Sequence, residues 1–196
     1  MTASPQLSQT FQRVETALPG VCLLQPKVFG DSRGFFLETY HEEKFQALGI
    51  RDRFVQDNHS RSSKNVLRGL HFQVRHPQAK LGRVVEGKVL DVAVDVRRGS
   101  PHFGQWVSAV LSAESHNMIY VPAGFAHGFV TLSDSAEFLY KCSEFYDASD
   151  ERSILWNDPR IGIQWGVSDP VLSPRDAQAL PLDKLPLDWL PQYHAA

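Results

Sequence analysis

The stretch Lys88-Val-Leu-Asp-Val-Ala-Val-Asp-Val-Arg97 decides how this chain folds. It alternates, with Leu90, Val92, Val94 and Val96 on one side and Asp91, Ala93 and Asp95 on the other. A period of two belongs to a strand, whose successive side chains point to opposite faces. Working outward, short apolar or alternating runs recur at 21–24, 34–40, 54–58, 66–73, 80–86, 104–111, 118–121, 126–132 and 136–146. Gly, Pro, Asn and Ser punctuate them. Many short strands so spaced indicate an all-β sandwich or barrel. Helix is scarce: residues 41–48 form the best candidate, stopped by Gly49. A jelly roll suits this pattern, because its mouth holds a ligand and its closure limits exposed edges.

The length of 196 residues suits one domain over 1–196. Residues 1–12 are polar and read as a flexible segment or one lent to a partner chain. Residues 180–196 set prolines among leucines and read as an extended tail that packs through Leu185, Trp189 and Leu190. A formal net charge of -2 gives no basic nucleic-acid surface, so an anionic ligand needs a local cluster of Arg and Lys. Cys22 and Cys142 are too few for a disulfide framework and form no CxxC, which fits buried free thiols in a reducing compartment. No apolar run approaches the roughly 20 residues that span a bilayer, and no apolar segment opens the chain. The expectation is a cytoplasmic protein that engages neither membrane nor nucleic acid. No HxH pair, GxSxG elbow, P-loop or GxGxxG is present.

Several segments carry candidate chemistry. In Arg68-Gly-Leu-His-Phe-Gln73, strand periodicity sends Gly69, His71 and Gln73 to one face and Arg68 to the other. His71 between Leu70 and Phe72 is either a hydrogen-bonded core histidine or a base, and a bulge at Gly69 would swing Arg68 toward the same pocket. Lys80 is either a solvated edge residue or a cation set against a developing enolate or a phosphate. His127 lies among small and aromatic residues and divides evenly between core and site. Tyr140 and Tyr146 share a face if their strand runs unbroken. A phenol there packs, acts as a general acid or faces a nucleobase. Asp176, late in the chain, caps a turn or reaches a barrel mouth to orient a histidine.

Taken together, these segments resemble the dTDP-4-dehydrorhamnose 3,5-epimerase family. The resemblance rests on Pro26-Lys-Val-Phe-Gly-Asp-Ser-Arg-Gly-Phe-Phe-Leu-Glu38, Gln56-Asp-Asn58, Val66-Leu-Arg-Gly-Leu-His-Phe-Gln73, Asp91-Val-Ala-Val-Asp95, Pro122-Ala-Gly-Phe-Ala-His-Gly-Phe129, Tyr140-Lys-Cys-Ser-Glu-Phe-Tyr146, Trp156-Asn-Asp158 and Leu172-Ser-Pro-Arg-Asp176. Any one of these is weak; in this order, from about Val14 to Asp176, they are specific. The resemblance implies a dimeric, metal-free, cofactor-free, cupin-like jelly roll. It implies a dTDP-linked 4-keto-6-deoxy sugar as substrate, inverted at C3 and C5. It further implies His71 as base, Asp176 as its orienting partner, Tyr140 as acid and Lys80 beside the enolate oxygen. Phe29, Arg33, Glu38, Gln56, Asn58, Arg68, His127 and Glu151 would bind the nucleotide sugar, with Tyr146 stacked on thymine. Arg175 stands where the family often has Lys, which keeps the cation and changes its bonding geometry.

The parts suit that chemistry. A hydrogen beside a ketone is acidified because its carbanion delocalises into the carbonyl oxygen. A neutral imidazole is a competent base near neutral pH. Three rivals stand beside this reading. An epimerase of C3 alone or C5 alone would differ in how the sugar turns in the pocket. A metal-dependent cupin lacks its HxH pair here, and a binding barrel without catalysis would have no use for an acid–base set.

Overall fold

The computed structural model describes residues 10–194. Its strands are Phe11–Glu15 (β1), Cys22–Pro26 (β2), Val28–Asp31 (β3), Gly34–Leu37 (β4), Gln56–Ser63 (β5), Leu67–Gln73 (β6), Lys80–Glu86 (β7), Lys88–Asp95 (β8), Trp106–Ser112 (β9), Met118–Val121 (β10), Phe125–Thr131 (β11), Ser135–Cys142 (β12) and Glu151–Ser153 (β13). Two short helices, Glu42–Ala47 (α1) and Pro174–Ala177 (α2), join them. One sheet has the order β1-β2-β10-β7-β12-β5, the other β13-β6-β11-β8-β9, and β3 pairs with β4 alone. The two large sheets face each other as an open, cupin-like sandwich, which is the all-β class the alternation predicts.

Three apolar clusters hold the layers. Between the sheets lie Val84, Ala93, Phe125, Phe129 and Phe138. Behind the five-stranded sheet, Val92, Val94, Val96, Leu70 and Phe72 pack under Trp165, Leu182, Leu185 and Leu190 of the C-terminal stretch. On the six-stranded sheet, Leu24, Leu81 and Met118 pack with Phe45 of α1. The strand β8 is therefore covered on both faces. Its Asp91 and Asp95 are fully buried, so its polar alternation marks a lined interior and not a wet surface.

The C-terminal stretch is not simply extended, since it makes short 3-10 turns at Leu182–Lys184 and Leu187–Trp189. Leu185 and Leu190 are buried, and Trp189 packs against the same cluster with the Arg152 guanidinium 4.6 Å from its ring. The helix also falls where Gly49 stops it, since Gly49 adopts a φ of +85° that few other residues tolerate.

Other expectations need correction. Residues 1–9 lie outside the described residues, but Thr10 to Gln12 are not free: Phe11 is buried in β1 with its ring 5.0 Å from Phe45. The run 34–40 is a strand only to Leu37, and its partner β3 was not anticipated. The run 136–146 ends at Cys142, so Tyr146 lies past the strand and owes nothing to its periodicity. The strand at 54–58 starts at Gln56 and runs on to Ser63 through an almost wholly polar sequence. Lys80 is no edge residue, because β7 is flanked by β10 and β12.

Candidate active site

A cavity of about 410 Å³ opens between the two sheets. His71 on β6 and His127 on β11 enter it from the five-stranded sheet, Lys80 on β7 and Tyr140 on β12 from the six-stranded sheet. Arg68 and Asp176 complete the charged lining. Arg68 and His71 are three residues apart, so regular alternation would part them. They meet because β6 carries an extra residue there: His127 pairs with His71 and Phe129 with Arg68. Gly69 makes this possible, as its φ is +122° and a Cβ on it would stand 2.5 Å from Gly128 Cα. The bulge expected at Gly69 is thus present, and it turns Arg68 into the cavity.

The turn after Val171 brings the carboxylate. Ser173 caps α2, accepting from the backbone N–H of Asp176, and so fixes Asp176 beneath the imidazole. Asp176 Oδ1 lies 2.5 Å from His71 Nε2. Burial works against its charge, but the hydrogen bond and field of His71, with the Ser173 hydroxyl, hold the Asp176 carboxyl below its ordinary value. An ionised carboxylate only accepts, so Nε2 carries a proton, and Nδ1 is the nitrogen left facing away from Asp176.

Burial pushes the Tyr140 hydroxyl up to about 12, and neighbouring Cys142 and Glu151 push the same way, so the phenol holds its proton. Burial pulls the Lys80 ammonium below its usual value, while Cys142, Glu151 and Asp91 oppose that shift. Among the described residues Lys80 has no carboxylate within 4.0 Å, which leaves the ammonium free for a ligand oxygen.

The interior holds a second histidine–carboxylate pair. His127 Nε2 lies 2.9 Å from both oxygens of Asp91. Burial raises the Asp91 carboxyl, against the pull of His127 and Lys80. The sequence reading missed Asp91 as a site residue. The available signal was its position, an acid on the inward face of a strand whose outward face is valine.

At the rim, Tyr146, Glu151, Arg175 and Gln56 form one network. The Tyr146 hydroxyl donates to Glu151 at 2.9 Å, Arg175 donates to the same oxygen, and Gln56 accepts from the Tyr146 backbone N–H at 2.9 Å. Asn58 stands next along β5 and accepts from Gln56 at 3.0 Å. Three anticipated residues lie elsewhere. Phe29 and Arg33 are exposed on the β3–β4 hairpin, with Arg33 paired to Asp31, and Glu38 is held by Lys44 and Thr10. Among the described residues no group of three or more His, Cys, Asp or Glu is arranged to hold a metal ion.

Titratable side chains from both sheets thus line one cavity of a cupin-like sandwich, and likeness to known proteins places the chain among the sugar-nucleotide epimerases. Residues 15–184 match the family model described as dTDP-4-dehydrorhamnose 3,5-epimerase. The dTDP-4-dehydrorhamnose 3,5-epimerase of Salmonella typhimurium is 58% identical over 174 residues, 87% of this chain and 95% of that one. A crystal structure of the dTDP-6-deoxy-D-glucose-3,5-epimerase of Legionella pneumophila, in complex with dTDP-4-keto-L-rhamnose, superposes with a TM-score of 0.92 at 47% identity, covering 94% of this chain and 100% of that one. A 3'-monoepimerase from Streptomyces bikiniensis, in complex with dTDP-quinovose, superposes at 0.84 with 36% identity, covering 91% and 92%. The chain belongs to the dTDP-4-dehydrorhamnose 3,5-epimerase family.

Proposed function

We propose that this chain inverts C3 and C5 of dTDP-4-dehydro-6-deoxy-D-glucose, giving dTDP-4-dehydro-L-rhamnose, with His71 as base and Tyr140 as acid. The observation that carries this reading is the origin of the two groups in opposite sheets, with the cavity between them. His71 takes the proton beside the ketone, and the C–H electron pair moves into the enolate oxygen. Lys80 neutralises that oxygen, an effect worth on the order of 3 kcal/mol for one such donor. Asp176 holds the ring and stabilises the imidazolium. The Tyr140 hydroxyl then protonates carbon from the other side and regains its proton from solvent, to which His71 gives up the proton it took. Repeating the sequence at the second carbon completes the double inversion. The ketone is already in the substrate, so the steps balance without a redox partner.

Arg68 and His127 line the cavity, and Glu151, Arg175, Tyr146, Gln56 and Asn58 are joined by hydrogen bonds beside His71; in this reading they bind the nucleotide sugar, with Arg68 and Arg175 the cations for its diphosphate. Phe29 and Arg33, which the family resemblance gives to the substrate, stand on a hairpin away from the cavity. That hairpin exposes Phe29, Phe35 and Phe36 and pairs with no other strand among the described residues. A homodimer in which each hairpin reaches the partner's cavity accounts for both facts. One domain spanning 1–196 fits the shared clusters that tie the tail to the sandwich. Two buried free thiols suit the cytoplasm, and no helix among the described residues is long and apolar enough to cross a membrane.

Proton NMR of the product formed in deuterated buffer tests the reading. Deuterium at both C3 and C5 is the expected result. Deuterium at one carbon would make the chain a monoepimerase, and none at either would leave a binding barrel.

A further inference from the structure

His71 stands between two carboxylates, and the mechanism uses only one of them. Asp176 Oδ1 lies 2.5 Å from Nε2, while Glu151 Oε1 on β13 lies 3.9 Å from Nδ1, the nitrogen that must accept the substrate proton. A second anion at that distance favours the imidazolium, which is the form that cannot act as a base. Glu151 is not left to exert its full field. Its other oxygen, Oε2, accepts from the Tyr146 hydroxyl at 2.9 Å and from the Arg175 guanidinium. Its side chain is only 14% exposed, so solvent screens it weakly. Arg175 and Asp176 are successive residues of α2, so one turn delivers both the anion that orients the ring and the cation that offsets the other anion.

We propose that Arg175 offsets the field of Glu151 at His71, the two forming a charge-balanced pair beside Nδ1, so that the ring stays ready to receive a proton from substrate. They are positioning residues in this role, which is additional to any contact with the nucleotide sugar and rests on the reading of His71 as base. The other charged or titratable groups around the ring are Lys80 from β7, Tyr140 from β12, Arg68 from β6, and His127 from β11 with Asp91 behind it. Variants of the pair leave all of these in place.

The test is an NMR titration of the His71 imidazole in the free enzyme, beside the pH profile of kcat/KM, which reports free-enzyme groups. Arg175→Met should raise the His71 midpoint by roughly 0.5–1 pH unit, and Glu151→Gln should lower it by a similar amount. The acid limb of kcat/KM should move with each. Arg175→Lys should return the midpoint toward that of the parent enzyme. A structural role predicts no such opposition of sign, so movement in the same direction, or in neither variant, overturns the proposal. The titration needs no substrate. Opposite shifts in an enzyme that incorporates no deuterium would therefore uphold the pair and count against the substrate reading alone.

Discussion

Tyr140 shows most plainly how a single side chain decides an outcome here. As the proposed acid it is needed only to return a proton, not to remove one. Tyr140→Phe should therefore exchange substrate hydrogens with solvent yet invert poorly; full inversion by that variant would remove the phenol from the acid role. Lys80→Met tests the enolate contact. It should lower kcat by about a hundredfold, the usual cost of losing one donor to a developing oxyanion. An unchanged kcat would place Lys80 outside the chemistry. At this scale the sequence was legible wherever a residue was out of keeping with its surroundings. His71 between Leu70 and Phe72 is the clearest case, because a polar ring in an apolar strand needs a partner or a task. Asp91 was less legible, since an acid in an alternating strand normally faces water. Only the covering of both faces of β8 exposes its pairing with His127.

Among the elements, the bulged strand and the rim loop carry the site. Gly69→Ala would set a Cβ 2.5 Å from Gly128 Cα and 2.8 Å from the His127 carbonyl oxygen, both backbone atoms that cannot step aside. A loss of about 2–4 kcal/mol is expected by denaturant titration. A neutral effect would mean that β6 and β11 do not approach so closely. The loop bearing Tyr146 is anchored by two buried groups. Gln73 accepts from the Asp147 backbone N–H at 2.9 Å, and Asp150 accepts from the backbone N–H groups of Arg75 and His76. Burial alone would raise the Asp150 carboxyl, but these donors and the Arg75 side chain hold it below its ordinary value. Its contribution is thus present above the unfolded value and is lost as pH falls through the lower folded one. Asp150→Ala should cost about 3 kcal/mol at pH 7, and the difference from the parent should shrink in acid. A difference that stays constant down to low pH would contradict this. The strands that could be read were those with one apolar side or two. β5 could be placed only in part, because one face lines the cavity and the other meets solvent, which leaves no apolar alternation. β13 was invisible, since three residues are too few to show a period.

For the whole molecule, two facing sheets do what one could not. His71 comes from one and Tyr140 from the other, so in the proposed mechanism a planar enolate held between them is reached from both sides. Assembly completes the arrangement, if the hairpin enters a partner's cavity. The native protein should then sediment at twice its 22.1 kDa chain mass. Phe35→Asp with Phe36→Asp should shift it toward the monomer and raise KM. A stable, fully active monomer would refute that role for the hairpin. The two-sheet architecture was legible from strand count and spacing, whereas the detached hairpin was not, because its two strands pair only with each other and share no period with either large sheet. The most direct measurement follows deuterium from solvent into the keto-sugar nucleotide, in the parent enzyme and in His71→Asn. The account predicts label at C3 and C5 with the parent and none with the variant. Label entering at the parent rate in His71→Asn would contradict it.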